Sequence, residues 1–409
     1  MPPDASLLKQ HVIDPEICIR CNTCEETCPV DAVSNDGTNY VVDAEKCNFC
    51  MDCISPCPTG SIDNWRVVRR AYSLEEQFSW QELPPQEELA KEAVGGQAFD
   101  ESADAQSIEA LEAEVEALIA TAHGGTGGKP VAPLSAGRPV VNLFNRSAPA
   151  IATVTGNYRL TDADADNDVR HIILDFGDVP FPILEGQSIG IVPPGLDADG
   201  RAHHIRLYSV ASPRHGERPN TNNLALTIKR EPLGKCSNYV CDLGRGAKVE
   251  VTGPFGASFL MPNDRAANIM MICTGTGSAP FRGFTEWRRR TMPDAPGRLV
   301  LFFGARRPEE LPYFGPLQKV PQTLLGKHFA YSRVPGEPKT YVQDLMRREA
   351  GSVAELMRSE HTHVYVCGLK GMEEGVDAAF DDVCRGAGIA WADLRQKMRK
   401  SGRYHVETY

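Results

Sequence analysis

Cys18-Ile19-Arg20-Cys21-Asn22-Thr23-Cys24-Glu25-Glu26-Thr27-Cys28-Pro29 carries four thiols spaced C-x2-C-x2-C-x3-C and closed by a proline. Cys47, Cys50, Cys53 and Cys57 repeat that spacing 29 residues later, and Pro58 follows them. Four thiolates so placed suit a cubane iron–sulfur cluster, because three come from one tight turn and a fourth reaches in from elsewhere. Two other uses of cysteine compete with this reading. A disulfide scaffold suits small secreted chains, whereas this one opens MPPDASLLKQ, without the charged-then-apolar pattern of an export signal. Zinc ribbons commonly use two separated C-x2-C pairs, not two proline-closed quartets. The expectation is two [4Fe–4S] clusters and single-electron chemistry.

The repeat resembles the two-cluster bacterial ferredoxins, in which the fourth cysteine of each run serves the other cluster. That resemblance implies Cys57 with Cys18, Cys21 and Cys24, and Cys28 with Cys47, Cys50 and Cys53. Residues 1–72 are expected to form this ferredoxin-like unit, with short strands such as Tyr40-Val41-Val42 between the cysteine turns.

A chain of 409 residues has room for roughly two to four domains. Its net charge of −11 speaks against nucleic acid as a partner. No apolar run approaches the roughly twenty residues needed to cross a bilayer, so a cytoplasmic protein without membrane contact is expected. The acidic excess is local: 13 acidic residues and 1 basic residue lie between Glu75 and Ile119. Residues 73–137 read as an acidic linker, with Ile108, Leu111, Val115, Leu118 and Ala122 at helical spacing predicting one helix over 107–122. Gly124-Gly125-Thr126-Gly127-Gly128 follows as a flexible hinge. Cys236, Cys241, Cys273, Cys367 and Cys384 are scattered and read as buried thiols.

Over 138–263 the pattern is strand and turn, with candidate strands Ile151–Thr155, Val169–Phe176, Ser188–Val192, Arg206–Ala211, Leu224–Arg230 and Lys248–Gly253. Pro, Gly and Asn clusters between them predict an antiparallel barrel. Over 264–409, short apolar strands (Asn268–Cys273, Arg298–Gly304, His328–Arg333, His363–Cys367) alternate with helical stretches such as Pro280–Thr291, Tyr341–Arg348 and Met372–Arg385. Such alternation implies a parallel sheet with crossover helices. The expected fold class is therefore multidomain: an α+β cluster unit, an antiparallel β-barrel and an α/β parallel-sheet domain.

Thr274-Gly275-Thr276-Gly277-Ser278-Ala279-Pro280 follows a predicted strand and opens a helix. Glycines there let the backbone approach a pyrophosphate, which the helix N-terminus holds by its amides and dipole. The third glycine of G-x-G-x-x-G is absent, and a plain tight turn reads the same way. Around it stand Glu185-Gly186-Gln187-Ser188-Ile189-Gly190, Arg206-Leu207-Tyr208-Ser209, Gly234-Lys235-Cys236-Ser237-Asn238-Tyr239, Gly253-Pro254-Phe255-Gly256, Val364-Tyr365-Val366-Cys367-Gly368-Leu369-Lys370-Gly371-Met372 and Val406-Glu407-Thr408-Tyr409. Together, from about Arg138 to Tyr409, they closely resemble the plant-type ferredoxin–NADP(H) reductase family.

The resemblance implies FAD on the barrel. Arg206 would pair with the flavin pyrophosphate, where a guanidinium fork suits phosphate oxygens. Tyr208 would lie against the isoalloxazine, and Ser209 would hydrogen-bond near N5. Cys236 and Ser237 would sit at a helix N-terminus by the FAD phosphates. Tyr409 would cover the other flavin face and move aside for nicotinamide, in a site lined by Cys367 and Glu407. Leu207, Lys229, Lys235, Thr276, Ala305, Arg306, Gly368 and Leu369 complete the implied cofactor-binding set. One departure stands out: Glu231-Pro232-Leu233 offers no aromatic residue to cover the FAD adenine, which leaves FMN as an alternative.

Ser332, Arg333, Lys339 and Tyr341 match the positions that hold the 2′-phosphate and adenine in NADP(H)-using members of the family. No Asp or Glu stands beside Ser332-Arg333 to repel a phosphate; an exposed basic turn is the other reading, and NADPH the preferred one. NADPH gives two electrons as a hydride and a cluster takes one, so a flavin between them is needed as converter, while the protein positions the cofactors. A tethered ferredoxin unit also raises the effective concentration of the encounter.

A two-cluster unit ahead of a plant-type reductase resembles the reductase components of benzoyl-CoA 2,3-epoxidase systems. That implies a monooxygenase-type system in which a separate di-iron oxygenase takes the electrons, and it leaves a homodimer open. Nothing in the chain resembles the paired Glu-x-x-His helices of a di-iron site. The alternatives are a general NADPH–ferredoxin oxidoreductase and a non-catalytic redox sensor. The Ser209, Cys367, Glu407 and Tyr409 set argues against the sensor.

Overall fold

The computed structural model describes residues 8–85, Val115, Ala117, Leu118 and 130–408, apart from 17, 51, 55, 56, 58–60, 63, 197–199, 201, 202, 219 and 220. Tyr409, and all of the expected 107–122 helix except those three residues, lie outside the described residues.

In the N-terminal unit β1 (Leu8–Val12) pairs antiparallel with β4 (Asn64–Val68), and β2 (Val33–Asn35) pairs with β3 (Tyr40–Val42). All five residues of β4 are buried, and Trp65 stacks on His11 at 4.3 Å and on Phe49 at 5.9 Å. The short helix α1 (Thr23–Thr27) lies inside the first cysteine run. The stretch expected to begin the linker instead opens with α2 (Leu74–Phe78), which packs back on this unit. Ser73 and Glu76 cap it reciprocally. The buried Gln77 side chain accepts from Val42 N at 3.1 Å and donates to Val42 O at 2.9 Å, so α2 fills the edge of β3.

The middle of the chain forms a six-stranded antiparallel sheet in the order β8 (Arg206–Ser209), β7 (Ser188–Ile191), β10 (Lys248–Phe255), β5 (Ala150–Arg159), β6 (Val169–Asp175), β9 (Asn223–Lys229). A bridge between Val210 and Leu226 brings the two edges together, as the barrel expectation requires. Burial along β5 alternates, the period-2 signature of a strand with one buried face. The helix α3 (Lys235–Asp242) begins at Lys235, which puts Cys236 and Ser237 in its first turn.

The last part is a five-stranded parallel sheet ordered β13 (Leu325–Tyr331), β12 (Leu299–Ala305), β11 (Asn268–Thr274), β14 (Thr362–Gly368), β15 (Tyr404–Thr408). Its helices include α4 (Ala279–Thr291), α5 (Phe314–Lys319), α6 (Val342–Arg348), α7 (Ala350–Arg358), α8 (Lys370–Gly386) and α9 (Trp391–Lys400). Strands β11 and β14 are buried on both faces: Met271, Cys273, Tyr365 and Cys367 join one core, and Met270, Ile272, Val364 and Val366 the other. Strand β13 starts three residues before the expected His328, because Leu325 and Gly326 already pair with Leu299 and Val300. Strand β15 and helices α7 and α9 complete the alternation and were not anticipated.

Two features join the halves. The Arg138 guanidinium reaches Asp14 at 2.7 Å and Glu16 at 2.5 Å, and its backbone N–H donates to Asn64 Oδ1 at 2.9 Å. At the seam between barrel and parallel sheet, Arg282 of α4 holds Glu217 through two bonds of 2.7 and 2.6 Å. His171 and Thr227 of the barrel both reach the Tyr313 hydroxyl, at 2.9 and 2.6 Å.

Candidate functional site

The cysteine end is built by two turns whose fourth thiols cross over. A cavity in the N-terminal unit is lined by Cys28, Cys47, Cys50 and Cys53 together with His11, Val33, Val42, Asn48 and Phe49. Cys28, from the first run, thus stands with three thiols of the second. The other quartet is visible in its electrostatics. Burial pushes the Cys24 thiol up to about 12, and Cys57, Cys18 and Cys21 add to the shift. Cys53 is raised by burial, then by Cys47 and Cys50, then by Cys24 and Cys28. Among the described residues, no three His, Cys, Asp or Glu side chains gather as a site for a single metal ion. A ring of four thiols round a void is the donor set a cubane takes, with one thiolate on each iron. Hydrogen bonds reach the sulfurs from Thr23 Oγ1 to Cys21 (3.3 Å) and from Ala32 N to Cys28 (3.2 Å), and Ser61 Oγ lies 3.4 Å from Cys57. Cys21 is exposed, whereas Cys24, Cys53 and Cys57 are buried.

On the barrel, β8 is held against β7 with Ser209 opposite Ser188, Tyr208 opposite Ile189, Leu207 opposite Gly190 and Arg206 opposite Ile191. Gly190 is needed there, since a Cβ would lie 2.4 Å from both Ile205 and Thr252 side chains. The Cys236 thiol, which burial pushes up to about 11, donates to Ile191 O at 3.6 Å, with the Tyr208 hydroxyl near it. Cys236 begins α3 beside Lys235, and Ser237 Oγ accepts from Glu231 N at 3.1 Å and donates to Gly234 O at 3.2 Å, closing the turn before the helix. The Arg206 side chain is exposed and donates to Ile205 O at 3.2 Å. Among the described residues no ion pair neutralises it, and a cation at the barrel edge fits a diphosphate. Lys229 is already paired with Glu231 at 2.6 Å.

The two sheets meet at Ser209. Its hydroxyl lies beside the Glu407 carboxyl, which burial pushes up to about 7 while the hydroxyl pulls the other way. Glu407 is the register partner of Cys367, and Cys367 of Cys273, so one row crosses the C-terminal ends of three parallel strands. Above the row lies the one-turn helix Gly275–Ser278, with Gly277 so close that a Cβ would sit 2.2 Å from Cys367 O. This contact explains Gly277 without reference to any ligand, and it leaves Thr276 partly exposed at the strand mouth. Gly368 adopts φ 145°, and Leu369 is 62% exposed beyond it. Crevices at the carboxyl ends of parallel strands are where open α/β sheets bind ligands.

Farther along that edge, Ala305 and Tyr331 end adjacent strands in register. Ser332 N donates to Ala305 O at 3.2 Å and Arg333 N to Arg306 O at 2.8 Å, so the two strand ends run on together. Arg306, Arg333 and Lys339 are exposed, and no ion pair neutralises them among the described residues. Tyr341 is exposed and caps α6, its N–H donating to Asp344 at 2.9 Å. Three open cations beside an exposed ring fit a phosphorylated adenosine.

Sequence reasoning missed His11 and Phe49 in the cluster cavity, Cys273 in the row, and the Arg138 link. Phe49 sits between Cys47 and Cys50, so its place was readable; the others depend on strand register and tertiary contact.

Residues 271–378 match the family model described as oxidoreductase NAD-binding domain, and residues 11–34 match that described as 4Fe-4S binding domain. The chain is similar to a ferredoxin–NADP reductase of Thermosynechococcus vestitus, 37% identical over 327 residues, which cover 74% of this chain and 84% of that protein. A cyanelle ferredoxin–NADP reductase of Cyanophora paradoxa is 38% identical over 288 residues, 66% of this chain and 79% of the relative. Among solved structures, a ferredoxin-NADP+ reductase of Plasmodium falciparum superposes with a TM-score of 0.54 at 24% identity, over 66% of this chain and 99% of its own, a likeness of fold.

Proposed function

Since the chain belongs to the ferredoxin–NADP reductase family, we propose that it draws electrons from NADPH and delivers them singly, through two clusters of its own, to a separate oxygenase. The family implies FAD and NADP, and the 4Fe-4S match brings an iron–sulfur site into the same chain. One observation carries the two-cluster reading: Cys28 lines a cavity with Cys47, Cys50 and Cys53, which leaves Cys57 beside Cys18, Cys21 and Cys24.

Arg206 would hold the flavin diphosphate, with Leu207, Tyr208, Lys235, Cys236 and Ser237 around it. Ser209, Cys367 and Glu407 would line the place where nicotinamide meets the flavin, and Tyr409 would cover it in the absence of nucleotide. Thr276, Ala305, Gly368 and Leu369 would frame the pyrophosphate, while Arg306, Ser332, Arg333, Lys339 and Tyr341 would select the 2′-phosphate. A flavin supplies the ability to take a hydride and give up electrons one at a time. What the chain contributes is placement: Ser209 and Glu407 come from different sheets, and the Ser209 hydroxyl stands near enough to the Glu407 carboxyl to favour its charged form. No described helix is long and apolar enough to cross a membrane.

The acceptor we favour is a di-iron oxygenase that epoxidises a CoA-bound aromatic ring, on the resemblance of the whole arrangement to such reductases. The test is NADPH oxidation by the purified holoprotein with a di-iron epoxidase and benzoyl-CoA, set against ferredoxins and flavodoxins. Turnover coupled to ring epoxidation supports the oxygenase partner. Equal turnover with every carrier, without coupling, leaves a general reductase instead.

A further inference from the structure

Phe303, Cys273, Cys367 and Glu407 form one row across β12, β11, β14 and β15. Register partners on neighbouring parallel strands project from the same face. Both cysteines accordingly belong to the core that holds Met271, Phe303 and Tyr365, while Ile272 and Val366, one residue earlier on each strand, belong to the opposite core. Both thiols are free. They are 0% and 1% exposed and close enough for Cys273 to help raise the Cys367 thiol. Neighbouring strands lie about 4.8 Å apart, within the roughly 4.4–6.8 Å between Cα atoms that a disulfide spans. The hydride chemistry assigned to Cys367 and Glu407 makes no use of Cys273.

We infer that Cys273 and Cys367 are a redox-modification site: hydrogen peroxide converts them to a reversible disulfide, which closes the nicotinamide site to NADPH. The closure rests on the reading of that site given above; the disulfide itself does not. In the first step one thiol attacks the peroxide, the O–O bond breaks, and a sulfenic acid and one water result. In the second the other thiol attacks that sulfur, the S–O bond breaks, and a second water leaves. Two electrons pass from the sulfurs to the peroxide, and the two thiol protons end in the two waters. An external dithiol reverses the change.

The geometry also says what kind of disulfide this is. Parallel partners keep their Cβ atoms about as far apart as the strands, slightly beyond the ~3.8 Å a disulfide prefers. Closing the gap stores strain, and strained disulfides are the readily reduced, regulatory ones. Drawing β11 towards β14 acts directly on the nucleotide turn, since Gly277 rests on Cys367 O and Gly368 on Thr274. Burial, with Glu407 beside Cys367, holds that thiol protonated, so oxidation is slower than at an exposed cysteine and speeds up with pH.

The experiment treats the holoprotein with hydrogen peroxide, blocks free thiols by alkylation and maps peptides by mass spectrometry. Flavin bleaching by NADPH and cluster absorbance are followed separately. The expected result is a linked peptide pair joining Cys273 to Cys367. Flavin reduction by NADPH falls at least tenfold in step with that link, and dithiothreitol restores it. Cys273→Ala should lose cluster absorbance as the wild type does, yet keep its flavin reduction. Both cysteines recovered as alkylated thiols when the clusters are already bleached would overturn the inference, and this reading needs no variant to fold. A linked pair with flavin reduction intact keeps the disulfide but overturns its control of the site. NADPH failing to reduce the flavin even before peroxide strikes at the proposed function instead.

Discussion

Cys47, Cys50 and Cys53 lie within seven residues of one another, and one turn delivers all three to a cavity that Cys28 reaches from the first run. Ser209, Cys367 and Glu407 come from one barrel strand and two sheet strands, and nothing in their local sequence brings them together. The first region states its chemistry as a spacing; the second produces its chemistry as a register. This difference sets what each region tolerates. A thiol quartet loses a ligand when one cysteine changes, whereas a register row survives any substitution that leaves its strands paired.

The largest effect should come from breaking the cluster unit. Replacing Cys57 with Ser should remove the cluster of Cys18, Cys21 and Cys24, lowering iron from about eight to about four per chain. Cys28→Ser should remove the other cluster, although Cys28 lies in the first run. Iron analysis with electron paramagnetic resonance distinguishes the two. Loss of the cluster nearer in sequence in either variant would show that the quartets do not cross.

Second is the seam that fixes the barrel against the sheet. Burial alone would raise Glu217, but bonds from His171 and Arg282 outweigh it and hold the carboxyl down at about 2. Glu217→Ala strands the Arg282 guanidinium, whose side chain is only 20% exposed. Stripping one partner from a buried pair costs about 3–5 kcal/mol, to be read from denaturant midpoints. The sign with pH follows from the depressed value. The unfolded carboxyl titrates near 4.5, so the stabilisation is complete above that pH and is lost as pH falls towards about 2. Wild type and variant should therefore converge on acidification. A constant gap would mean that the loss is one of packing.

How much of this was legible follows the same division. The cysteine spacing made the iron–sulfur unit readable, and the turn clusters of Pro, Gly and Asn placed the barrel strands near their observed ends, except β5, which runs on to Arg159. Strand β13 was read late because Gly326 and Lys327 interrupt its apolar run, although its backbone pairs from Leu325 onward. Strand β15 escaped because its alternation is short, with only Tyr404 and Val406 as apolar residues, and pairing with β14 is what makes it a strand. Cys273 read as one scattered thiol, since only register shows it beside Cys367. Arg138 read as the start of a domain, and its bonds to Asp14 and Glu16 are tertiary.

A third, smaller effect tests the strand-end cations. Arg333 follows β13 beside Arg306, and a hydrogen bond to a charged group is worth about 1.5–3 kcal/mol. Arg333→Ala should weaken NADPH use by that amount and leave NADH use nearly unchanged, measured as kcat/KM for each nucleotide. Equal losses for both would remove the 2′-phosphate role and leave a basic turn.

The smallest effect concerns how each region relieves a buried acid. In the cluster unit, burial makes thiolates costly, and bound iron would offset that cost. Glu407 is relieved differently: burial raises it to about 7, and the nearby Ser209 hydroxyl opposes only part of the shift. The folded protein therefore holds a proton that the unfolded chain releases near 4.5. Stability that the neutral carboxyl provides is intact below that pH and drains away as pH rises through about 7. Glu407→Gln keeps the shape and cannot ionise, so its Tm should match the wild type at low pH and exceed it slightly above neutrality. Tm measured across this range in the holoprotein decides the matter. A wild-type Tm that never falls behind the variant would mean that Glu407 is charged and solvated through the cleft, and that the row is as open to water as the rim around Cys21.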